Sequence, residues 1–195
     1  MYYLIEGVIA VTLGNNNTNL EKEGMIIKTH EENNRSMLKN GHPYAKRNVW
    51  SGFLFGIGLV AFIDETFFHQ LLRWHHFYDK STTDIGLISD GFFHAFSWFA
   101  TIAGLFLFAD LRRKNGLRLA RWLGGVFLGA GGFQLYDGII QHKLMRIHQI
   151  RYVENVITYD LIWNILAAIL LIIGIYLTIR TKNAYHIQEA TSYER

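Results

Sequence analysis

At 195 residues the chain has the length of one domain, yet half of its residues are apolar, 15% are aromatic and a single one is proline, a composition that points to a membrane. There is no cysteine, which excludes disulfides, thiolate metal sites, iron–sulfur clusters and cysteine nucleophiles and leaves histidine as the soft ligand. The net charge of +3 is modest and collects at the ends of apolar segments, not in a stripe that would track nucleic acid, so no nucleic-acid partner is expected.

Residues 1–14 are apolar but too short to span about 30 Å of hydrocarbon and carry Glu6 within them. The following polar run, rich in Asn, Glu and Lys, has no apolar periodicity, so residues 1–46 read as a flexible tail with a short apolar start. Met25 and Met37 leave open a later translation start. Four apolar segments follow at 49–72, 88–109, 119–141 and 156–179, each near the length of about 20 residues that a spanning helix needs. Glycines crowd the first and third, including Gly52, Gly56, Gly58, Gly124, Gly125, Gly129, Gly131 and Gly132, which predicts that these two helices approach closely. The expected domain is therefore a membrane bundle over 47–182, with 183–195 as a C-terminal tail.

Basic residues set the orientation. Arg112, Arg113, Lys114, Arg118 and Arg121 crowd the second connection, Lys39, Lys46 and Arg47 precede the first span, and Arg180 and Lys182 follow the last. This places both termini in the cytoplasm of a cell (inner) membrane, with the first and third loops outside.

A polar skeleton recurs along the chain. The stretch GIGLVAFIDETFFHQLLRWHH at 56–76 has a copy, GAGGFQLYDGIIQHKLMRIHQ, 73 positions later at 129–149. Asp64 aligns with Asp137, His69 with His142, Arg73 with Arg146 and His75 with His148. Asp90 and His94 in the second segment are matched by Asp160 and Asn164 in the fourth, and each pair stands four residues apart on one helix face. The expected fold is all-α: an integral membrane four-helix bundle built from two tandem two-helix repeats.

Ionisable groups facing lipid would each cost about 2.5–3.5 kcal/mol, so Asp64, His69, Asp90, His94, Asp137, His142 and Asp160 are expected to face inward. Imidazole and carboxylate without thiolate suit zinc, copper or non-haem iron; His69, His94 and His142 are the expected inner ligands, with the aspartates beside them or in support. Haem held between His69 and His142 is the alternative. A helical constraint limits the set, because Asp64 and His69, like Asp137 and His142, are five apart, about 140° around an ideal α-helix, and meet one ion only if the helix carries a π-bulge or loosens. Asp64 and His75 share a face but lie about 16 Å apart along an ideal axis. His75, His76 and His148 are accordingly expected at the water interface, within an aromatic belt of Trp74, Phe77 and Tyr78.

The run from 52 to 76, then SDGFFHAFSW, FQLYDGIIQHKLMRIHQIR and YDLIWN, resembles the bacterial predicted-membrane-protein family known as domain of unknown function two-two-four-three (DUF2243). The resemblance covers 49–179 and implies four spans. It places Asp64, His69, His75, His76, Asp90, His94, His142, His148 and Asp160 on motif positions, Asp137 where an acidic residue is common, and Gln141 and Gln149 where Asp and His are frequent. It implies no activity. Four functions fit the residues: a metal-dependent hydrolase or redox protein, a copper or haem carrier serving a respiratory-chain partner, an oligomeric proton or metal transporter, and a structural membrane protein without cofactor.

Overall fold

The computed structural model describes residues 21–29, Glu32 and residues 43–182. The chain divides into two units, Met1–Pro43 and Tyr44–Arg195. In the first, residues 21–29 are helical, where the sequence lacks an apolar stripe, and Thr29 Oγ1 donates to the Met25 carbonyl at 2.8 Å. Residues 1–20, 30–31 and 33–42 of the expected N-terminal tail and the tail at 183–195 lie outside the described residues.

Pro43 opens the first long helix, α1 (Pro43–Asp64), because its fixed φ and missing N–H suit a helix's first turn. The helix thus begins inside the segment expected to be tail. It runs directly into a π-helix, π1 (Glu65–Leu71). After a loop come α2 (Thr83–Arg113), α3 (Leu119–Tyr136) with its own π continuation, π2 (Asp137–Met145), and α4 (Val156–Arg180). The described residues are helical with no strand.

Three helices are long and apolar enough to cross a membrane: Tyr44–Leu71, Thr83–Arg113 and Val156–Arg180. The glycine-rich α3 is not among them. Its glycines, with Arg121 and Gln134, dilute its hydropathy, and its Trp122, Gly124, Gly125, Gly129, Ala130 and Gly131 are buried.

Glycine lets α1 and α3 touch backbone to backbone. A Cβ on Gly56 would lie 2.1 Å from the Val126 carbonyl oxygen, and one on Gly129 would lie 2.1 Å from that of Phe53. Gly52 meets the Trp122 carbonyl and Gly125 that of Val49 in the same way. Each contact has its mirror on the other helix. Further along, Asn48 ties α1 to the α2–α3 loop, donating to the Gly116 carbonyl at 2.9 Å and accepting from Arg118 N–H at 2.8 Å, while Asp110 holds Arg47 at 2.6 Å. Because side chains at the α1–α3 seam have no space to move into, Gly56→Val is expected to destabilise the protein in detergent by about 1–3 kcal/mol or more. Gly132→Ala, whose Cβ meets nothing within 4 Å, should leave stability unchanged or raise it by up to about 1 kcal/mol. Thermal unfolding of the two variants measures the contrast.

Candidate metal centre

The two π-helices decide what the polar residues can reach. Widening the turn puts residues i and i+5 on one face, so Asp64 Oδ2 comes to 3.7 Å from His69 Nε2 and Asp137 Oδ2 to 3.1 Å from His142 Nε2. The distortion that five-residue spacing requires is present at both positions. π1 ends where Leu72 N–H bonds the Phe67 carbonyl at 2.8 Å and Trp74 N–H bonds that of Phe68 at 2.9 Å; at π2, Ile147 N–H bonds the Gln141 carbonyl at 3.1 Å.

Immediately beyond each π-helix the chain doubles back. Arg73 and Arg146 both adopt left-handed backbone, with φ of 52° and 53°, and the turn returns His75 and His148 to the helix ends they have just left. Both are buried, at 5% and 1% exposure, which corrects their expected place at the water interface: the 16 Å separation assumed a helix that continued. The His69 and His75 ring centroids are 4.5 Å apart, those of His142 and His148 are 4.7 Å apart, and the His75 and His148 rings stack at 4.6 Å.

Hydrogen bonds fix which nitrogen each of these rings presents. His75 Nδ1–H donates to the Ile150 carbonyl at 3.0 Å, and His148 Nδ1–H donates to the Phe77 carbonyl at 2.9 Å. Each loop thereby orients the histidine of the other. Burial, followed by the neighbouring His69 and His148, pushes the His75 imidazole down to about 2, so the ring is neutral and its Nε2 carries a lone pair. His69 Nδ1 lies 2.9 Å from Glu65 Oε2 and 3.1 Å from Asp90 Oδ1. The Nε2 atoms of His69, His75, His142 and His148 are all buried and have no hydrogen-bond partner. Ligand atoms of Asp64, His69 and His75 lie within 4.8 Å of one another, as do those of His75, His142 and His148. Asp137 closes the second half, with Oδ1 3.3 Å from His148 Nε2.

The remaining acidic residues stand outside this ring of histidines. Asp90 Oδ1 accepts from His69 Nδ1 and from Phe77 N–H at 2.7 Å, and its Oδ2 accepts from His76 Nδ1 at 2.7 Å. Asp160 pairs with Lys143 and lies 3.7 Å from His142 Nδ1. Glu65, at 1% exposure, is a residue that sequence reasoning missed; its place four residues before His69 in an apolar run was the available signal.

His94 is not part of the cluster. Its Nε2 accepts from Trp98 Nε1 at 3.0 Å and its ring packs on Phe62, so it cannot join His69 and His142 as expected. Asp90 turns to π1 and the first loop, leaving its i+4 neighbour on the outer face. Asn164 likewise donates to its own helix, to the Asp160 carbonyl at 2.8 Å.

Residues 51–181 match the family described as Predicted membrane protein (DUF2243). The chain belongs to that family. No curated protein and no solved structure matches it. The DUF2243 match takes in every residue of the cluster, both π-helices and both loops. Asp90 is the most connected of the outer residues, and its removal would strand Phe77 N–H and His76 Nδ1 and leave His69 Nδ1 with Glu65 alone. Asp90→Ala is expected to cost about 3–5 kcal/mol, whereas His94→Ala, losing one hydrogen bond to Trp98, should cost about 1 kcal/mol; detergent unfolding curves compare them.

Proposed function

We propose that this membrane protein crosses the bilayer four times as a bundle of two tandem two-helix repeats and holds a pair of transition-metal ions near its outer face. The observation that carries the metal reading is the convergence of four buried imidazoles and two buried carboxylates: three of the Nε2 atoms face Asp64 or Asp137, and that of His75 has no partner. An unpaired buried polar group costs about 1–3 kcal/mol, and ions bound between the imidazole and carboxylate lone pairs would satisfy the set. Each half supplies two histidines and one aspartate: Asp64, His69 and His75 in one, and Asp137, His142 and His148 in the other. Two His and one carboxylate with further positions open suit non-haem iron, and imidazole also suits copper and zinc. Such an ion supplies redox or Lewis-acid chemistry.

The chain's own residues prepare the site. The Ile150 and Phe77 carbonyls set the tautomers of His75 and His148, while Asp90 and Glu65 hold His69 through Nδ1, the second-sphere arrangement that orients metal-ligating imidazoles. A polar hollow of about 440 Å³ lined by Arg73, Trp74, His75, His76, Asp79, Lys80 and Tyr152 offers an approach from the loop side. At the helix ends away from it, the α1–α3 seam is closed by backbone contact, which favours a resident centre over a permeation path. For haem, a porphyrin would need a gap between His69 and His142, where the His75 and His148 rings are packed; separate ions fit better. The repeat reading rests on contacts that recur 73 positions apart, including the reciprocal loop bonds, the paired left-handed arginines and the mirrored glycine contacts. The basic α2–α3 connection and helix ends support cytoplasmic termini.

Elemental analysis of detergent-purified protein is expected to find two iron, copper or zinc ions per chain. His75→Ala and His148→Ala, each removing a direct ligand, should weaken metal retention by more than the roughly 10–100-fold that loss of an outer-shell partner costs, and His94→Ala should retain the full complement. Protein that is metal-free as purified, and takes up none of the three metals when they are offered, would overturn the reading.

A further inference from the structure

A cavity of about 620 Å³ opens beside the histidine cluster, lined by Phe53, Ile57, Phe92, Phe96, Gly132 and Tyr136 towards its mouth, and by Phe77, Phe93, Phe133 and Gln141. Its size is that of a small-molecule site, which typically spans about 300–1,000 Å³. The lining includes exposed Phe92, Phe96 and Tyr136, from three-quarters to one-half exposed, on helices that meet lipid. The wall adjoining the cluster is aromatic and nearly parallel: Phe93 stacks with Phe77 at 24° and with Phe133 at 15°, and its ring also packs on His69.

One group in this lining is polar and unsatisfied. Gln141 is 4% exposed, and its Oε1 has no hydrogen-bond partner. It sits one residue before His142. A buried acceptor in an aromatic pocket asks for a ligand that brings a donor and a flat apolar body.

The cavity occurs on one side of the molecule because the two halves differ at these positions. Gly132, whose added Cβ would meet nothing within 4 Å, aligns with Leu59; Gln141 aligns with Phe68; and Phe93 aligns with Trp163. Phe68 and Trp163 pack edge to face at 5.5 Å, and the Trp163 indole N–H donates to the Gln134 carbonyl at 3.0 Å. The corresponding space on that side is filled by side chains. A cavity formed by three coordinated departures from the aligned half, one of which buries an unpaired amide, has the form of a binding site.

We infer that this cavity binds a membrane-dissolved hydroxylated aromatic ring with an apolar tail, the chemical class of the hydroquinones, with a ring hydroxyl donating to Gln141 Oε1 and the tail leaving past Phe92 and Phe96 into lipid. Binding itself requires only the cavity; its relevance to chemistry rests on the metal reading, since Gln141 and Phe93 bring the ring against His142 and His69.

The test is calorimetric titration of the full chain in detergent with a decyl-tailed hydroquinone, its dimethyl ether and a plain alkane of similar length. The hydroquinone is expected to bind once per chain and the ether, which has no donor, about five- to tenfold more weakly, the size of one hydrogen bond in a buried site. Gly132→Leu, which fills the cavity without touching the histidines, should reduce hydroquinone binding by about tenfold or more. Gln141→Leu should make hydroquinone and ether bind alike. Equal binding of all three compounds by the unaltered protein would show a site for acyl chains and overturn the inference, as would full hydroquinone binding by a folded Gly132→Leu protein. Metal content is read on the same samples. Selective hydroquinone binding in protein that is metal-free and takes up no iron, copper or zinc when offered sustains this inference while refuting the metal centre, and metal-replete protein that does not discriminate the compounds does the reverse.

Discussion

The carbonyl oxygens of Ile150 and Phe77 determine what His75 and His148 can do. Each accepts the Nδ1 proton of the histidine on the opposite loop, so neither ring can turn without losing a buried hydrogen bond worth about 1 kcal/mol and exposing a donor to an apolar surround. With the tautomers settled by backbone, the Nε2 atoms of His75 and His148 are left as acceptors among Asp64, Asp137 and the rings of His69 and His142. The loops, held to each other by the same two bonds, keep this set together, which is the rigidity that the proposed metal centre would need.

The π-helices and the left-handed arginines serve the same end by local means. A π-turn has poorer hydrogen-bond geometry than an α-turn, and a left-handed non-glycine residue costs about 1–2 kcal/mol. Both appear twice, at Glu65–Leu71 with Arg73 and at Asp137–Met145 with Arg146. These costs are offset by contacts that no α-helix could make, since Asp64 reaches His69 and Asp137 reaches His142 only when five residues share a face. The backbone is distorted where the polar residues converge and regular where glycines meet backbone carbonyls along α1 and α3.

Much of this was legible in the sequence. Length and hydropathy located the apolar helices, the glycines announced the α1–α3 contact, and the five-residue spacing stated the distortion it needed. His75 and His148 were misplaced because periodicity assumes the helix continues; the reversal at Arg73 and Arg146 is a left-handed turn at residues with no glycine or asparagine to announce it. His94 was misjudged for a related reason. Four-residue spacing put it on one face with Asp90, but Asp90 reaches towards π1 and the first loop while Trp98, another four residues on, captures the His94 ring. Glu65 was overlooked because it has no acidic counterpart, Gly138 standing at the aligned position.

The departures from symmetry carry as much information as the matches. Were the two halves identical, the cluster would present the same approach from both sides. Instead Asp90 is answered by His76 in the first half, whereas Asp160 is answered by Lys143 in the second. Asp160 thus meets an amine and Asp90 an imidazole. On the membrane side, Gln141 and Gly132 open the space that Phe68 and Trp163 close on the other. The Asp160–Lys143 pair and the residues that open the apolar approach, Gly132 and Gln141, therefore belong to one half, while Leu59 and Phe68 stand at the aligned positions of the other. In the proposed reading a duplicated scaffold would supply the paired His and Asp sets, and the divergence between the aligned segments gives the cluster a front and a back.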